Sequence, residues 1–449
     1  MPYEGEYAHY QPLKRIVESD RVQQLLRRSR VLDRSLLTQA TPKTPPPSDV
    51  MIPSLVVAID GCHTEVDVRN GYPGAKVGYC SVASVILNLA EVDRLDAVRP
   101  INPVDFRRTE EPSSDASALP GCNVITRDHI SARDSFREAL FDLLHDAIVD
   151  LEDNTRLLAT YQALLAYKPS GTIACPYVNL GCERQVTIGL GVGTCSCERR
   201  KPLYPTDALR IHERFNDDAG TNGEAFGYVL STWERLLLIH LLRCFEQRSW
   251  LDRLGAVAFF VDGPLAIFGP PAWLSAAISS ELQRLNALVR STTGTDIVIV
   301  GIEKTGNFVT HFEEIDKQED GSACFNPGTY FLPTDWYIKQ RLIFSDSVKR
   351  YGADTYFGRK FFYKTHSGAR IVANMPFLTR EQDSLLTDTP AAFPRFGTVC
   401  SLLDKLVTSR FPNALAPIVS AHAQASIPLH LGQRVLRQLA AVLMRQTQP

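Results

Sequence analysis

The sequence predicts an α/β protein: a mixed sheet with helical elaborations and a cysteine-containing insertion. Three observations carry this. Two β-branched apolar runs end on the same Asp-Gly pair, at Asp60-Gly61 and Asp262-Gly263; several long stretches place apolar residues every third or fourth position; and four of the ten cysteines gather between residues 175 and 197.

Taken in order, residues 12–38 mix apolar and charged residues at helical spacing, and TPKTPPPSD (41–49) then stops any helix, because proline lacks the amide donor and clashes. An N-terminal helix and a proline-rich linker are therefore expected over residues 1–50. SLVVAID (54–60) reads as a buried strand, KVGYCSVASVILNL (76–89) as a second, and a third is expected near 97–106, the three forming an antiparallel meander. Residues 131–167 read as one long helix or two, with Ser131 placed to cap and Asp134 in the first turn. A second strong helix over 224–247 leads directly into VAFFVDGPLAIFG (257–269), the Asp262 strand.

Beyond it a helix is expected over 272–290, a strand ending near Lys304 and a helix over 334–344. RKFFYKTH and ARIVANMPF then read as a hairpin about Ser367-Gly368. Helices at 398–409 and 429–444 close the chain. The main body is thus expected over 51–430, with an insertion at about 107–223 and a C-terminal helix over 431–449.

Charge is balanced, 48 Lys plus Arg against 50 Asp plus Glu, so no global field draws the molecule toward a polyanion. Such a partner has to be met locally, by LLRRSRVLDR (25–34) or CERRK (197–201), each of which also reads as a solvated face. No apolar run approaches the roughly 18 residues of a membrane span. MPYEGEYAHY has neither a basic nor an apolar leader region, which points to the cytoplasm. Ten cysteines are too few for a disulfide scaffold, and a reducing compartment is expected.

Strand, strand, strand, helix, strand, helix, with acids on the first strand, the helix and the fourth strand, is the ribonuclease H-like plan. Phosphodiester cleavage by two hard divalent ions needs carboxylate oxygens converging within a few ångströms, and neighbouring strand positions supply that spacing. Asp60 and Asp262 are two candidates, although an aspartate before glycine also reads as a turn cap. Glu234 is a third. Set among Trp233, Leu236, Leu237 and Leu238, it needs a partner or a metal if it faces inward, and none if it faces solvent.

On VVAIDGCHTE, WERLLLI followed by FFVDGPLAIFG, IVGIEKTG and FPNALAPIVSAHAQASI (411–427), the chain resembles the NurA nucleases, over most of residues 50–430. The resemblance implies that Asp60, Glu234 and Asp262 bind catalytic Mn2+ or Mg2+, and that Lys304 and His422 lie at the active site. A lysine there suits phosphate as a point charge, and a histidine suits proton exchange; His422 also reads as a packed residue at a helix start. It further implies single-strand endonuclease and 5′-to-3′ exonuclease activity on DNA. The implied assembly is a homodimer docked on a HerA-like hexameric ATPase, in end resection or defence against foreign DNA. Asp335 is a possible fourth acid, with a simpler role at its helix N-terminus. Glu234 stands 174 residues after Asp60, more than three strands need, and the insertion that fills this space departs from the pattern.

That insertion carries Cys175, Cys182, Cys195 and Cys197, spaced C-x6-C-x12-C-x-C, and Gly181, Gly189, Gly191 and Gly193 offer tight turns. Four thiolates can close a structural zinc site, but neither half has the usual C-x2-C spacing, and scattered thiols fit as well. In YPTDALRIHERF (204–215), Arg210 and Arg214 are candidate DNA contacts that equally decorate a helix.

Two other function classes compete. Actin-like and sugar-kinase ATPases share the strand order and use Asp-Gly turns around phosphates, but Pro264 removes a donor that such a loop needs. A non-catalytic subunit that binds DNA or an ATPase could retain the acids for structure. No GxxxxGK[ST] loop occurs, so any ATP-driven motion comes from a partner.

Overall fold

The structure is a computed structural model. It describes residues 10–29, 40–49, 52–69, 74–94, 109–126, 129–150, 155–169, 171–197, 200–318, 321–381, 389–408, 411, 413–428 and 431–446. Two units separate by their internal contacts, Met1–Thr41 and Pro42–Pro449. In the first, the single helix expected over 12–38 is, over its described part, two, α1 (Tyr10–Val17) and α2 (Asp20–Arg28), broken at Glu18-Ser19, and 30–38 lies outside the described residues. The second holds everything else.

Its frame is an eight-stranded sheet. The strands are β1 (Leu55–Arg69), β2 (Ala75–Asn88), β3 (Glu110–Pro120), β4 (Val257–Asp262), β5 (Val298–Glu303), β6 (Thr329–Phe331), β7 (Gly358–Lys364) and β8 (Arg370–Pro376), in the order β6-β7-β8-β5-β4-β1-β2-β3. β1, β4 and β5 run parallel; β2 and β3 continue antiparallel on one side, and β8, β7 and β6 on the other. The β3-β2-β1-β4-β5 half is the expected ribonuclease H-like plan, extended by three strands.

The parallel strands are buried on both faces, which is why they read as continuous apolar runs. Val57, Ile59, Phe259, Val261 and Ile299 point into one core with α3 (Ala132–Asp146), α4 (Leu157–Leu165), α5 (Gly223–Gln247) and α6 (Leu274–Thr293). Val56, Ala58, Ala258, Phe260, Val300 and Ile302 point into a second, with Phe396, Leu402, Ile418 and Ala421 of α8 (Phe396–Leu406) and α9 (Ala416–Ala425). α7 (Asn307–Ile315) follows β5, and α10 (Leu431–Gln446) ends the described chain.

Several expectations shift. The range 97–106 lies outside the described residues, and the third strand is Glu110–Pro120, a polar edge strand with charges and Pro112 toward solvent. Such a composition protects an edge from pairing but hides the strand from hydrophobic patterning. Residues 131–167 form two helices, and Ser131 caps the first by accepting from the Asp134 amide at 3.1 Å. The helix over 334–344 is one turn, Asp335–Ile338, followed by a π-turn, Lys339–Ile343. The proline stretch is no free tether: Asp49 accepts from Arg395 Nε at 3.0 Å and Thr398 Oγ1 at 2.9 Å. Among the described residues, no helix is long and apolar enough to cross a membrane.

Candidate active site

β1 and β4 stay in register up to Ile59 opposite Val261, so the next residues, Asp60 and Asp262, stand side by side at the carboxyl end of the parallel pair. β1 then runs on to Arg69, paired with β2, while β4 stops. This leaves a crevice at the strand ends, where open α/β sheets place their ligands. Asp262 lies opposite Ile302 of β5, and Lys304, two residues further, extends to the same face. Its Nζ donates to Asp60 Oδ2 at 2.8 Å and lies 2.9 Å from Asp262 Oδ1. From α9, His422 Nδ1 stands 3.3 Å from Asp60 Oδ2. Four of the five residues expected at the site therefore meet on one face of the sheet.

Glu234 arrives from the other face. It sits on α5 with its side chain only 9% exposed, so it faces inward rather than toward solvent. Gly61 makes room for it: a Cβ there would fall 2.9 Å from Glu234 Oε1 and 2.6 Å from Leu230 Cδ1. The aspartate thus has a glycine after it for packing. A turn does not require that glycine, because β1 continues straight through as extended strand. At Asp262 the turn is real, and Gly263 has φ of 76°.

Arg235, which sequence reasoning passed over, holds this junction together. It pairs with Glu234, and its Nη2 donates to the carbonyls of Asp262 at 2.9 Å and Pro264 at 2.8 Å. The only sequence signal was a basic residue inside an apolar helical run.

Electrostatics follow from burial. Glu234 is pushed up to about 8 by burial, with Arg235 opposing and Asp60 and Asp262 raising it further. Burial and the neighbouring Asp262 also raise Asp60, more than Lys304 and His422 lower it. Lys304 is raised by Asp262 and Asp60 despite its burial. Buried Asp60 thus shares the single Lys304 ammonium with the part-exposed Asp262, and both offer hard oxygens suited to a divalent cation. Among the described residues, only the group Cys175, Cys182 and Cys195 brings three His, Cys, Asp or Glu ligand atoms all within 4.8 Å of one another. Asp60 and Asp262 are bridged through the Lys304 ammonium instead, so a cation already occupies the point these two share.

Other candidates lie elsewhere. Arg210 is paired with Glu213 at 2.7 Å, and Arg214 is exposed. Asp207 of the same stretch is buried against Arg137, at 2.7 Å. Asp335 accepts from the Tyr351 amide and pairs with Lys339 at 2.6 Å, a local structural role.

The NurA domain family model matches residues 54–427. Among solved structures, the chain is similar to the NurA nuclease from Sulfolobus solfataricus at 9% identity, with a TM-score of 0.36, covering 98% of this chain and 100% of that one. No curated protein matches it significantly in sequence. The family match spans every strand of the sheet and all five candidate residues, Asp60, Glu234, Asp262, Lys304 and His422, and the chain belongs to the NurA nuclease family.

Proposed function

We propose that the protein is a metal-dependent deoxyribonuclease whose centre is Asp60, Glu234 and Asp262. The observation that carries this reading is the pair of aspartates at the ends of adjacent parallel strands, Asp60 buried and Asp262 beside it, sharing one cation, Lys304, while burial and Asp262 raise Asp60. These acids would hold Mn2+ or Mg2+, as two ions. Bound there, the metal supplies a Lewis acid for the phosphodiester and an acidified water as nucleophile.

The chain's own residues do the rest. Asp60 and Asp262 are fixed by strand register, so their separation needs no reorganisation when substrate binds. Arg235 fixes Glu234 and ties it to the turn after Asp262. Lys304 has a partly exposed ammonium, which can leave the carboxylates and meet a phosphate oxygen as a point charge. His422 is about half exposed and sits at the mouth, where it can pass a proton to or from solvent beside Asp60.

Family membership supports the finer reading: single-strand endonuclease and 5′-to-3′ exonuclease action, a homodimer, and a HerA-like ATPase partner in DNA end processing or defence within the cytoplasm. The absence of a phosphate-binding GxxxxGK[ST] loop is consistent with a motor supplied by another chain.

The test is cleavage of end-labelled single- and double-stranded DNA in manganese, magnesium or EDTA, beside Asp60→Asn and Asp262→Asn proteins with unchanged circular dichroism. Cleavage is expected only with metal and only in the wild type. Cleavage surviving both substitutions would remove the centre from this crevice. A wild type inert even with a HerA-like partner would favour the non-catalytic subunit.

A further inference from the structure

The insertion is built like a clasp. One short hairpin pairs Ile173–Ala174 with Gln185–Val186, and a second pairs Gly193–Thr194 with Pro202–Leu203. Each hairpin carries two cysteines. In the first, Cys175 N donates to Arg184 O at 2.9 Å, a 3-10 turn follows over Val178–Leu180, and Gly181 at φ 85° returns the chain to Cys182. In the second, Cys195 N donates to Lys201 O at 2.9 Å, and the amide of Cys197 points at Cys195 Sγ from 3.5 Å.

Three of the four sulfurs, those of Cys175, Cys182 and Cys195, converge across the two hairpins, and Cys197 lies beside this trio. Cys175 Sγ lies 3.5 Å from Cys195 Sγ, and Cys182 Sγ lies 3.8 Å from it. A tetrahedron of thiolates at Zn–S distances of about 2.3 Å has edges of roughly 3.8 Å, so these separations are those of a zinc site. A disulfide does not explain them. Bonded sulfurs lie about 2.05 Å apart, and one sulfur cannot pair with two others. Cys197 is half-buried, two residues from Cys195 on the same hairpin, with its thiol against that of Cys195.

The surrounding core is too small to hold the fold unaided. Ile173, Tyr177, Val186 and Leu203 are its buried apolar members besides three of the cysteines, whereas units of this size need a staple. We propose that Cys175, Cys182, Cys195 and Cys197 bind one structural zinc ion, which clasps the two hairpins. Soft thiolates select zinc over the hard cations suited to the carboxylate crevice, and four of them leave no open position for catalysis. The clasp is fastened to the body through Tyr177. Its hydroxyl donates to Pro202 O of the second hairpin at 2.7 Å, and its ring reaches the body, 4.4 Å from the Arg137 guanidinium, which in turn pairs with buried Asp134 and Asp207.

The test is metal content by mass spectrometry on protein purified without chelators. About one zinc per chain is expected in the wild type, in Cys324→Ser and in the Asp60→Asn/Asp262→Asn double variant. Cys182→Ser and Cys195→Ser should retain less than a tenth of it. Should those two fail to fold, titrating the wild type with a mercurial should release its zinc in step with about four thiols. A wild type without zinc, zinc retained by Cys195→Ser, or zinc lost from the Asp60→Asn/Asp262→Asn protein would each overturn the assignment. The last result would also place the ion in the carboxylate crevice, so failure here is distinguishable from failure of the nuclease reading.

Discussion

Two glutamates on neighbouring helices of the same core face opposite fates. Glu281 of α6 is 1% exposed, and although burial pushes it up, hydrogen bonds from Arg284, Tyr167 and Arg243 hold it down at about 2. Glu234 of α5 is nearly as buried, and burial with Asp60 and Asp262 outweighs Arg235 and Lys304, pushing it up to about 8. The first is an acid whose charge the protein has satisfied. The second is an acid whose one direct cation, Arg235, does not offset its burial and its acidic neighbours, the kind of perturbation expected of a working site.

The largest effect expected from this contrast is on activity alone. Asp60→Asn or Asp262→Asn should lower cleavage by about 10³-fold or more, the several kcal/mol that a lost metal site costs a transition state. Melting temperature should hold or rise, since one member of a repelling set is gone. A fall in both would make the aspartates structural.

Gly61→Ala comes next. The added methyl meets Leu230 Cδ1 and Glu234 Oε1 inside contact distance, so overpacking should cost about 1–3 kcal/mol by chemical denaturation and displace Glu234 from the crevice. Stability unchanged by the methyl would mean that α5 is not seated against β1 in this way.

Glu281→Gln should cost about 2 kcal/mol, in the range of charge-assisted hydrogen bonds, while leaving cleavage within twofold of wild type. Glu234→Gln should do the reverse, abolishing cleavage with no loss of stability at pH 8. If both variants lost activity alike, the distinction between the two glutamates would fail.

A further contrast is a pH slope in EDTA-treated protein. Glu234 is raised in the fold, so its contribution is full below about 4.5, its ordinary value, and is lost as pH rises through about 8. Glu281 is lowered, so its contribution is present above about 4.5 and lost as pH falls toward 2. Denaturation midpoints of each Gln variant against wild type should therefore diverge in opposite pH windows. Parallel curves would contradict the opposed surroundings.

The crevice was more legible in the sequence than the elements around it. Asp60 and Asp262 could be read because parallel strands buried on both faces are uninterrupted apolar runs, and an acid at the end of one stands out. Glu234 stood out against its leucines for the same reason. β3 did not, because an edge strand is polar by necessity, and α7 and the three-residue β6 carried too little periodicity to register. Arg235 and the packing role of Gly61 depend on contacts across the sheet, which no local pattern records. For the cysteines, sequence spacing gave an ambiguous answer. The two hairpins, by contrast, bring the sulfurs together across twenty residues.

The most direct measurement is manganese binding, followed by loss of the free-ion electron paramagnetic resonance signal as protein is added, with cleavage assayed in the same samples. Binding by the wild type that tracks cleavage, and is lost in Asp60→Asn and Glu234→Gln but kept in Glu281→Gln, is the predicted result. Equal binding by the wild type and Asp60→Asn, or cleavage that persists where no manganese is bound and EDTA is present, would contradict a metal centre built from these strand ends.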